Sequence, residues 1–361
     1  MKKTLILTHE YYPFKGGVAR YVYNLFKYFK EKDYLVVSDH PEVKTGGNII
    51  NTKLKSSYLK PSWFLAYFKI KKIIKEFGVE QIFTPNILPL GSVAYFLKVP
   101  YIISLHGLDI NLALKNKPNF SKKILNKAKK IIVNSLQTKK VLIEAGINQE
   151  KIILIYPSVD FDNSYDEKKL ELFRKKYNLS DQDKILLTVG RLTKRKGQAL
   201  VIEAMEHLQN DFSLKYFIVG HGEEKDFLKK IIRENNLTGR VFICDFIDDE
   251  NLVYFYRLAD IFLLPSINRQ EDVEGFGMVF LEAAACHLPI IAGQGAGISE
   301  IFSDQEMVFV SGGDLRQLAK EIKNLLKEPT LAAKLADRAY QKYKDFNQPL
   351  KNSDKLKRIL S

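Results

Sequence analysis

Glu274 and Glu282 bracket the run Glu274-Gly275-Phe276-Gly277-Met278-Val279-Phe280-Leu281-Glu282. Gly-Phe-Gly followed by an apolar stretch predicts a loop opening into a helix. Its glycines let backbone N–H groups approach a ligand closely, and a helix N-terminus attracts phosphate and sugar oxygens. Two carboxylates roughly two helical turns apart can each accept hydrogen bonds from hydroxyls at different points of one elongated ligand. A nucleotide sugar is a ligand of that kind.

A diphosphate also calls for positive charge, and one loop supplies it. Gly190-Arg191-Leu192 follows an apolar run at 184–189, and Lys196-Gly197 opens the next helical stretch. A guanidinium and an ammonium beside helix N-terminal N–H groups neutralise phosphates without a metal. Lys194 and Arg195 in the same loop read as solvated charges. Phe14-Lys15-Gly16-Gly17-Val18 follows the first apolar run and opens an amphipathic stretch. A Rossmann-type fold puts a backbone-lined phosphate site there, although the sequence is not the G-x-G-x-x-G pattern, which counts against a dinucleotide. A purely structural turn is the rival reading of Gly16-Gly17. His106-Gly107-Leu108-Asp109 closes another apolar run, which places His106 at a strand's carboxyl end and lets Asp109 cap the next segment. His9, at the end of the first run, is similarly placed.

Short apolar runs alternate with amphipathic stretches along the whole chain, the pattern of a doubly wound α/β protein. Strands are expected at 4–9, 34–38, 80–84, 100–105, 131–134 and 151–155, with helices near 17–30, 62–77, 119–128 and 135–145. After Tyr156-Pro157-Ser158-Val159-Asp160 comes a charged connector. A second series then begins, with strands near 184–189, 214–219, 240–243, 261–264, 289–292 and 307–310. Its helices are expected near 197–208, 222–235, 249–258, 277–286, 314–327 and 330–344. At 361 residues, two domains are expected. They divide as 1–163 and 164–344, and the tail 345–361 carries weak helical character.

Hydrophobic residues make up 46% and charged residues 27%, values that argue against disorder. The two cysteines, Cys244 and Cys286, stand far apart with no Cys/His cluster, so no disulfide framework or zinc site is supported and no metal is expected. Met1-Lys2-Lys3 with its short apolar run reads as a first strand and not as a signal peptide, because His9-Glu10 interrupts it. No stretch approaches the roughly 18–20 apolar residues of a transmembrane helix. The expected setting is cytoplasmic, with any membrane contact peripheral, on the inner face of the plasma membrane.

The net charge of +14 is uneven: residues 1–165 hold 26 of the 56 Lys plus Arg but only 12 of the 42 Asp plus Glu. The first half thus carries the entire excess, which points to a polyanionic partner. No base-reading motif accompanies it, so nucleic acid is not the expected partner. In the segment 60–75, a proline start, the only tryptophan (Trp63) and the aromatics Phe64, Tyr67 and Phe68 accompany Lys60, Lys69, Lys71, Lys72 and Lys75. One reading is a helix that dips aromatics into an acidic membrane interface. The other is a helix whose apolar side packs on the first sheet. The sequence supports both.

The segment 274–282, preceded by Pro265-Ser266 and followed by Glu282-Ala283-Ala284-Ala285-Cys286-His287-Leu288-Pro289-Ile290-Ile291-Ala292-Gly293, resembles the signature of the family-4 retaining glycosyltransferases. The resemblance implies the GT-B fold, two Rossmann-like domains facing across a central cleft, with the terminal helix crossing back onto the first. It implies that Arg191 and Lys196, with Gly190, bind the donor's phosphates and that Glu274 contacts the transferred sugar. Glu282 would hold the ribose hydroxyls, and Phe276 and Gly277 would offer backbone N–H groups to the sugar. Gly220-His221-Gly222 is similar to the family's turn that admits the nucleoside, Gly16-Gly17 to its phosphate and acceptor edge, and His106 to the histidine that approaches the donor sugar. The implied reaction is hexosyl transfer with retention, without cofactor or metal, to a lipid-linked or membrane-proximal glycan in cell-envelope polysaccharide, lipopolysaccharide or glycolipid synthesis. Gln270-Glu271-Asp272-Val273 and Gly277-Met278-Val279-Phe280 resemble the phosphatidylinositol and lipopolysaccharide mannosyltransferases, which favours GDP-mannose as donor. A UDP-sugar transferase and a non-catalytic module holding a polyanion are the alternatives. His287 stands where the family has glycine and Ser299 where it has proline. A left-handed non-glycine residue costs around 1 kcal/mol, which puts the local backbone in doubt but not the fold.

Overall fold

The computed structural model describes residues 2–14, 16–55, 61–245, 247–267, 276–295 and 297–361, Leu108 by its backbone alone. Two compact units result: Met1–Asp160 with Gln348–Ser361, and Phe161–Asn347.

The first unit is built on seven strands, β1 (Thr4–Leu7), β2 (Tyr34–Ser38), β3 (Ile49–Asn51), β4 (Gln81–Thr84), β5 (Tyr101–Leu105), β6 (Lys130–Val133) and β7 (Ile152–Leu154). They pair in the order β3-β2-β1-β4-β5-β6-β7, all in parallel. Strands covered on both faces should be apolar throughout, and β1, β4 and β5 are buried at every position. The chain works outward from β1 to β3 and then returns to the other side of β1, so the order reverses between β1 and β4. Helices α1 (Gly17–Phe26), α2 (Phe64–Phe77), α3 (Leu90–Leu97), α4 (Leu108–Asn116), α5 (Pro118–Lys127) and α6 (Leu136–Glu144) connect the strands.

The second unit holds α7 (Glu167–Lys176), then β8 (Lys184–Val189), α8 (Gln198–Leu208), β9 (Leu214–Val219), α9 (Lys225–Glu234), β10 (Val241–Cys244), α10 (Asp249–Leu258) and β11 (Ile261–Leu264). Next come α11 (Met278–Ala285), β12 (Ile290–Gly293), β13 (Val308–Val310), α12 (Leu315–Lys327) and α13 (Pro329–Phe346). Its parallel sheet runs β10-β9-β8-β11-β12-β13, with the reversal between β8 and β11.

The last helix, α14 (Pro349–Leu360), belongs to the first unit and packs on α1, with Leu356 and Leu360 fully buried in its core. Gln81 Nε2 donates to the Leu360 carbonyl at 2.6 Å and to Thr4 Oγ1 at 3.0 Å, and Asn352 Nδ2 donates to the Tyr156 carbonyl at 2.9 Å. Gln81→Leu is expected to cost ~1–2 kcal/mol. Two buried acceptors lose their donor, while the buried Gln81 Oε1, which has no partner among the described residues, goes with it. A urea titration monitored by far-UV circular dichroism measures the loss.

Four elements were not expected. Helix α3, Leu-Gly-Ser-Val-Ala-Tyr-Phe-Leu, is apolar almost all round and shows no helical stripe. Helix α4 and strand β3 are short. Helix α7 lies in what reads as a charged connector, yet Asp166 caps it by accepting from the backbone N–H groups of Lys168 and Lys169. At α2 the packing reading holds for part of the helix: Ala66 and Ile70 are buried in the core, while Phe64, Leu65 and Phe68 are 45%, 44% and 54% exposed. Lys71, Lys72 and Lys75 are exposed beside them, and Lys69 is tied to Thr52 Oγ1 and the Lys53 carbonyl. Among the described residues no helix is long and apolar enough to cross a membrane.

Candidate functional site

In the second unit, the loops leaving β8, β9, β11 and β12 meet at the carboxyl edge of the sheet, around the reversal between β8 and β11, where open α/β sheets bind ligands. Glycines let them meet. A Cβ on Gly220 would stand 2.0 Å from the Gly190 oxygen, one on Gly222 2.2 Å from the Leu192 oxygen, and one on Gly293 2.2 Å from the Ser266 oxygen. A Cβ on Gly197 would stand 2.5 Å from the Pro265 oxygen. The backbone completes the join: Leu192 N–H donates to the His221 carbonyl at 2.9 Å, Gly190 N–H to Val219 at 2.9 Å and Ile267 N–H to Arg195 at 2.7 Å.

Within this frame Lys196 is only 8% exposed, and its Cε lies 3.9 Å from where Gly190 would carry a Cβ. Arg191 is exposed, and its carbonyl accepts from Gln198 Nε2 at 3.0 Å. Arg195, expected to be solvated, is partly buried, because its loop closes on Ile267.

Gly277 caps α11 with φ +75, and a Cβ there would stand 2.7 Å from the Phe280 ring. Phe276 is buried and its ring stacks on Phe346, with centroids 5.9 Å apart. Glu282 is fully buried, and Tyr256 Oη donates to its Oε2 at 2.8 Å. Burying a carboxylate is costly unless it is hydrogen-bonded, so the tyrosine is part of what keeps it there. Tyr256 was not foreseen, since nothing in α10 marks one aromatic residue above its neighbours. Glu274, together with Gly275, lies outside the described residues. His287 does take the left-handed conformation, φ 56, with its ring stacked on Tyr340 at 3.7 Å.

In the first unit, Gly16 caps α1 and Gly17 opens it, beyond the end of β1. His106 follows β5; its ring meets Tyr21 edge-on at 5.0 Å, and its Nε2 lies 3.4 Å from Ser104 Oγ. Burial pulls its pKa down to about 4, so it is a neutral imidazole near pH 7. Asp109 Oδ1 accepts from the His106 backbone N–H at 3.0 Å, while its buried Oδ2 has no partner among the described residues. Burial pushes this carboxyl up to about 6, against backbone hydrogen bonds that pull it down.

Because the folded value of Asp109 lies above its ordinary 3.8, the fold disfavours its charged form. That cost is absent well below pH 4 and complete above about pH 6. Asp109→Asn is therefore expected to stabilise the protein above pH 6 by on the order of 1–3 kcal/mol, with the gain vanishing toward pH 4. His106 runs the other way: its folded value lies below 6.5, so stability is lost as pH falls from there toward 4. Thermal melts of both forms from pH 4 to 8 measure the difference. Among the described residues no group of three or more His, Cys, Asp or Glu is placed to hold a metal ion.

Comparison with known proteins agrees with this architecture. Residues 15–163 match the family model described as Glycosyltransferase Family 4, and residues 170–342 that described as Glycosyl transferases group 1. An uncharacterised glycosyltransferase of Methanocaldococcus jannaschii is 30% identical over 311 residues, 83% of this chain and 81% of that protein. A GDP-mannose-dependent alpha-(1-6)-phosphatidylinositol monomannoside mannosyltransferase of Mycolicibacterium smegmatis is 25% identical over 351 residues, 91% and 90% of the two chains. The N-acetylgalactosamine-N,N'-diacetylbacillosaminyl-diphospho-undecaprenol 4-alpha-N-acetylgalactosaminyltransferase of Campylobacter jejuni is 28% identical over 310 residues, 82% and 80%. Among solved structures, Anabaena HepE in complex with UDP and glucose superposes with a TM-score of 0.84 at 18% identity, over 100% of this chain and 99% of that one. WaaG, a glycosyltransferase involved in lipopolysaccharide biosynthesis, superposes at 0.77 with 17% identity, over 97% and 98%. At such identities the structural likeness speaks for the fold, and the sequence relatives speak for the family. The chain belongs to the family-4 glycosyltransferases and carries their GT-B fold.

Proposed function

We propose that the protein is a retaining, metal-independent hexosyltransferase that takes mannose from GDP-mannose and delivers it to a lipid-linked or membrane-proximal glycan of the cell envelope. The observation that carries the donor half is the meeting of the β8 and β9 loops, with the buried Lys196 against Gly190 at the sheet's reversal point. In this reading Arg191 and Lys196, with Gly190, take the diphosphate, and the backbone of Gly220 and Gly222 lets the nucleoside approach. Glu282, with Tyr256 behind it, accepts from the ribose hydroxyls. Glu274 and the N–H groups of Phe276 and Gly277 take the sugar, and in the first unit Gly16, Gly17 and the neutral His106 keep the phosphate and sugar roles that the family resemblance implies. As the glycosidic bond breaks, negative charge grows on the leaving diphosphate, and preorganised cations stabilise it most at that moment. Retention results if the acceptor attacks from the face the diphosphate leaves, that phosphate taking the acceptor's proton.

GDP-mannose is supported by the mycobacterial relative, which covers nine-tenths of both chains. A UDP-N-acetylhexosamine donor with an undecaprenyl-linked acceptor is the second reading, favoured by the slightly higher identity of the campylobacter relative. Thermal shift and turnover with GDP-mannose, UDP-glucose, UDP-galactose and UDP-N-acetylglucosamine separate the two. GDP-mannose alone should stabilise and turn over, unchanged by EDTA, and the product anomer read by proton NMR should match the donor's. A protein that turns over no donor would be a binding module and would sink the enzyme reading.

The membrane half rests on Phe64, Leu65 and Phe68 standing exposed beside Lys71, Lys72 and Lys75. Near an anionic surface each lysine contributes about 1 kcal/mol. Sedimentation with phosphatidylglycerol vesicles, weakened by salt and by Phe68→Ser, is the expected result, and equal binding to phosphatidylcholine vesicles argues against it.

A further inference from the structure

At the carboxyl edge of the first sheet, beside its reversal point, stands a group of side chains to which the donor reading gives no role. His9 follows β1 and Asp39 follows β2, and their side chains meet at 2.7 Å, His9 Nδ1 to Asp39 Oδ1, with only 17% and 15% of each exposed. A carboxylate accepts, so Nδ1 carries a proton, and in the neutral imidazole Nε2 then carries the lone pair. Asp39 is itself held, its Oδ2 accepting from Leu54 N–H at 3.4 Å. Although burial pushes its pKa up, the hydrogen bonds from His9 and from the Leu54 N–H help to outweigh that, leaving it below the usual carboxylate range. Ser38 Oγ donates to the His9 carbonyl at 3.0 Å, and Thr8 Oγ1 donates to the Glu10 carbonyl at 2.8 Å. The loop is therefore fixed on both sides of the imidazole.

His9 Nε2 is buried and has no partner among the described residues. A buried acceptor left without a donor costs roughly 1–3 kcal/mol, so a site that keeps one gains when a hydroxyl arrives. The next residue, Glu10, brings its carboxylate to Gly16, where a Cβ would stand 2.6 Å from Glu10 Oε2. Two residues further on, Tyr12 is 41% exposed and stacked on Tyr23 at 4.6 Å. One ring nitrogen, one carboxylate and one exposed ring lie within four residues of the chain. They suit a neutral molecule with neighbouring hydroxyls and an apolar C–H face, which is a pyranose.

We infer that His9, oriented by Asp39, and Glu10 form the hydroxyl-binding edge of the acceptor subsite, and that the acceptor's reacting end is an uncharged hexopyranoside whose hydroxyls donate to His9 Nε2 and to the Glu10 carboxylate. The inference rests on the glycosyl-transfer reading and adds to it the chemistry of the acceptor's end. Asp39 is a positioning residue, because it acts through the tautomer of His9.

The test uses the full chain with 15N-labelled histidine, saturated with whichever of GDP and UDP it binds. The probes are methyl α-D-mannopyranoside, methyl β-D-glucopyranoside and methyl 2-acetamido-2-deoxy-β-D-glucopyranoside. Without glycoside, the His9 ring should show a protonated Nδ1 and a bare Nε2. At least one glycoside should move the Nε2 resonance toward that of a hydrogen-bonded acceptor. Asp39→Asn should populate the other tautomer and weaken that glycoside ~tenfold, the loss of about one hydrogen bond, with Glu10→Gln weakening it less. His9→Gln keeps an acceptor near Nε2 and should bind better than His9→Ala, and a melting temperature within a few degrees of wild type certifies each fold. A protonated Nε2 in the wild type, a resonance that no glycoside moves, or a His9→Ala variant that binds as tightly as wild type would overturn the inference. Failure of the wild type to bind either nucleotide would instead overturn the donor reading.

Discussion

Lys196→Ala is expected to lower kcat/KM for the nucleotide-sugar donor by about 10²–10³, the scale on which loss of one preorganised charge-stabilising group acts. The reason lies in where the ammonium sits. Lys196 is the C-terminal residue of a short 3-10 turn, Lys194–Lys196, that hands over to α8 through Gly197 at φ +74, and its stem runs against Gly190. A lysine that is 8% exposed as a residue is screened less by solvent, so its attraction for a developing phosphate charge is worth more than that of a surface lysine. The fall should appear mainly in kcat, because charge on the leaving group grows toward the transition state. Lys196→Arg should not rescue it, since a planar five-donor fork does not occupy the space of a compact ammonium. Steady-state kinetics with the donor found to turn over give the ratio. A loss below about threefold would remove Lys196 from the site.

Gly220→Ala is expected to destabilise the second unit by roughly 2–4 kcal/mol and to abolish donor binding. The backbone of Gly220 has φ +148, which side-chain-bearing residues rarely adopt, and the added methyl would meet the Gly190 carbonyl oxygen at 2.0 Å. That oxygen belongs to the backbone and cannot swing aside as a side chain would. Relief demands that the β8 and β9 loops part, which pulls Leu192 N–H from the His221 carbonyl and moves Arg191 with it. For a domain of this size the cost corresponds to a melting point about 5–15 °C lower. Differential scanning calorimetry with and without nucleotide separates the two effects: the variant should melt earlier and show no nucleotide-dependent rise. Gly17→Ala, where a Cβ would meet nothing within 4 Å, is the control that should melt like wild type.

Strands buried on both faces were legible because they cannot be anything but short apolar runs; 184–189, 214–219 and 261–264 coincide with β8, β9 and β11. Stripe-bearing helices such as α12 were legible for the matching reason of period. Helix α3 was not, since a helix buried on every side loses its stripe, and α7 was hidden because its charge outweighs the cap at Asp166. Of the site, glycine and cation positions were legible because each is required by a local backbone conformation or a local charge. What each of them touches was not.

The residue types alone indicated a two-domain α/β protein with a cation-bearing glycine loop, and the transferase reading came from the resemblance of the 274–282 segment, since periodicity and loop chemistry are local properties written along the chain. Tertiary structure alone decided the rest. It brought Gly220 onto Gly190 across two strands, set Tyr256 behind Glu282 from a helix 26 residues away, and joined His9 to Asp39 across 30 residues. Such pairings arise only when parallel strands are laid side by side and their carboxyl ends converge, and no spacing along the chain records which ends will meet.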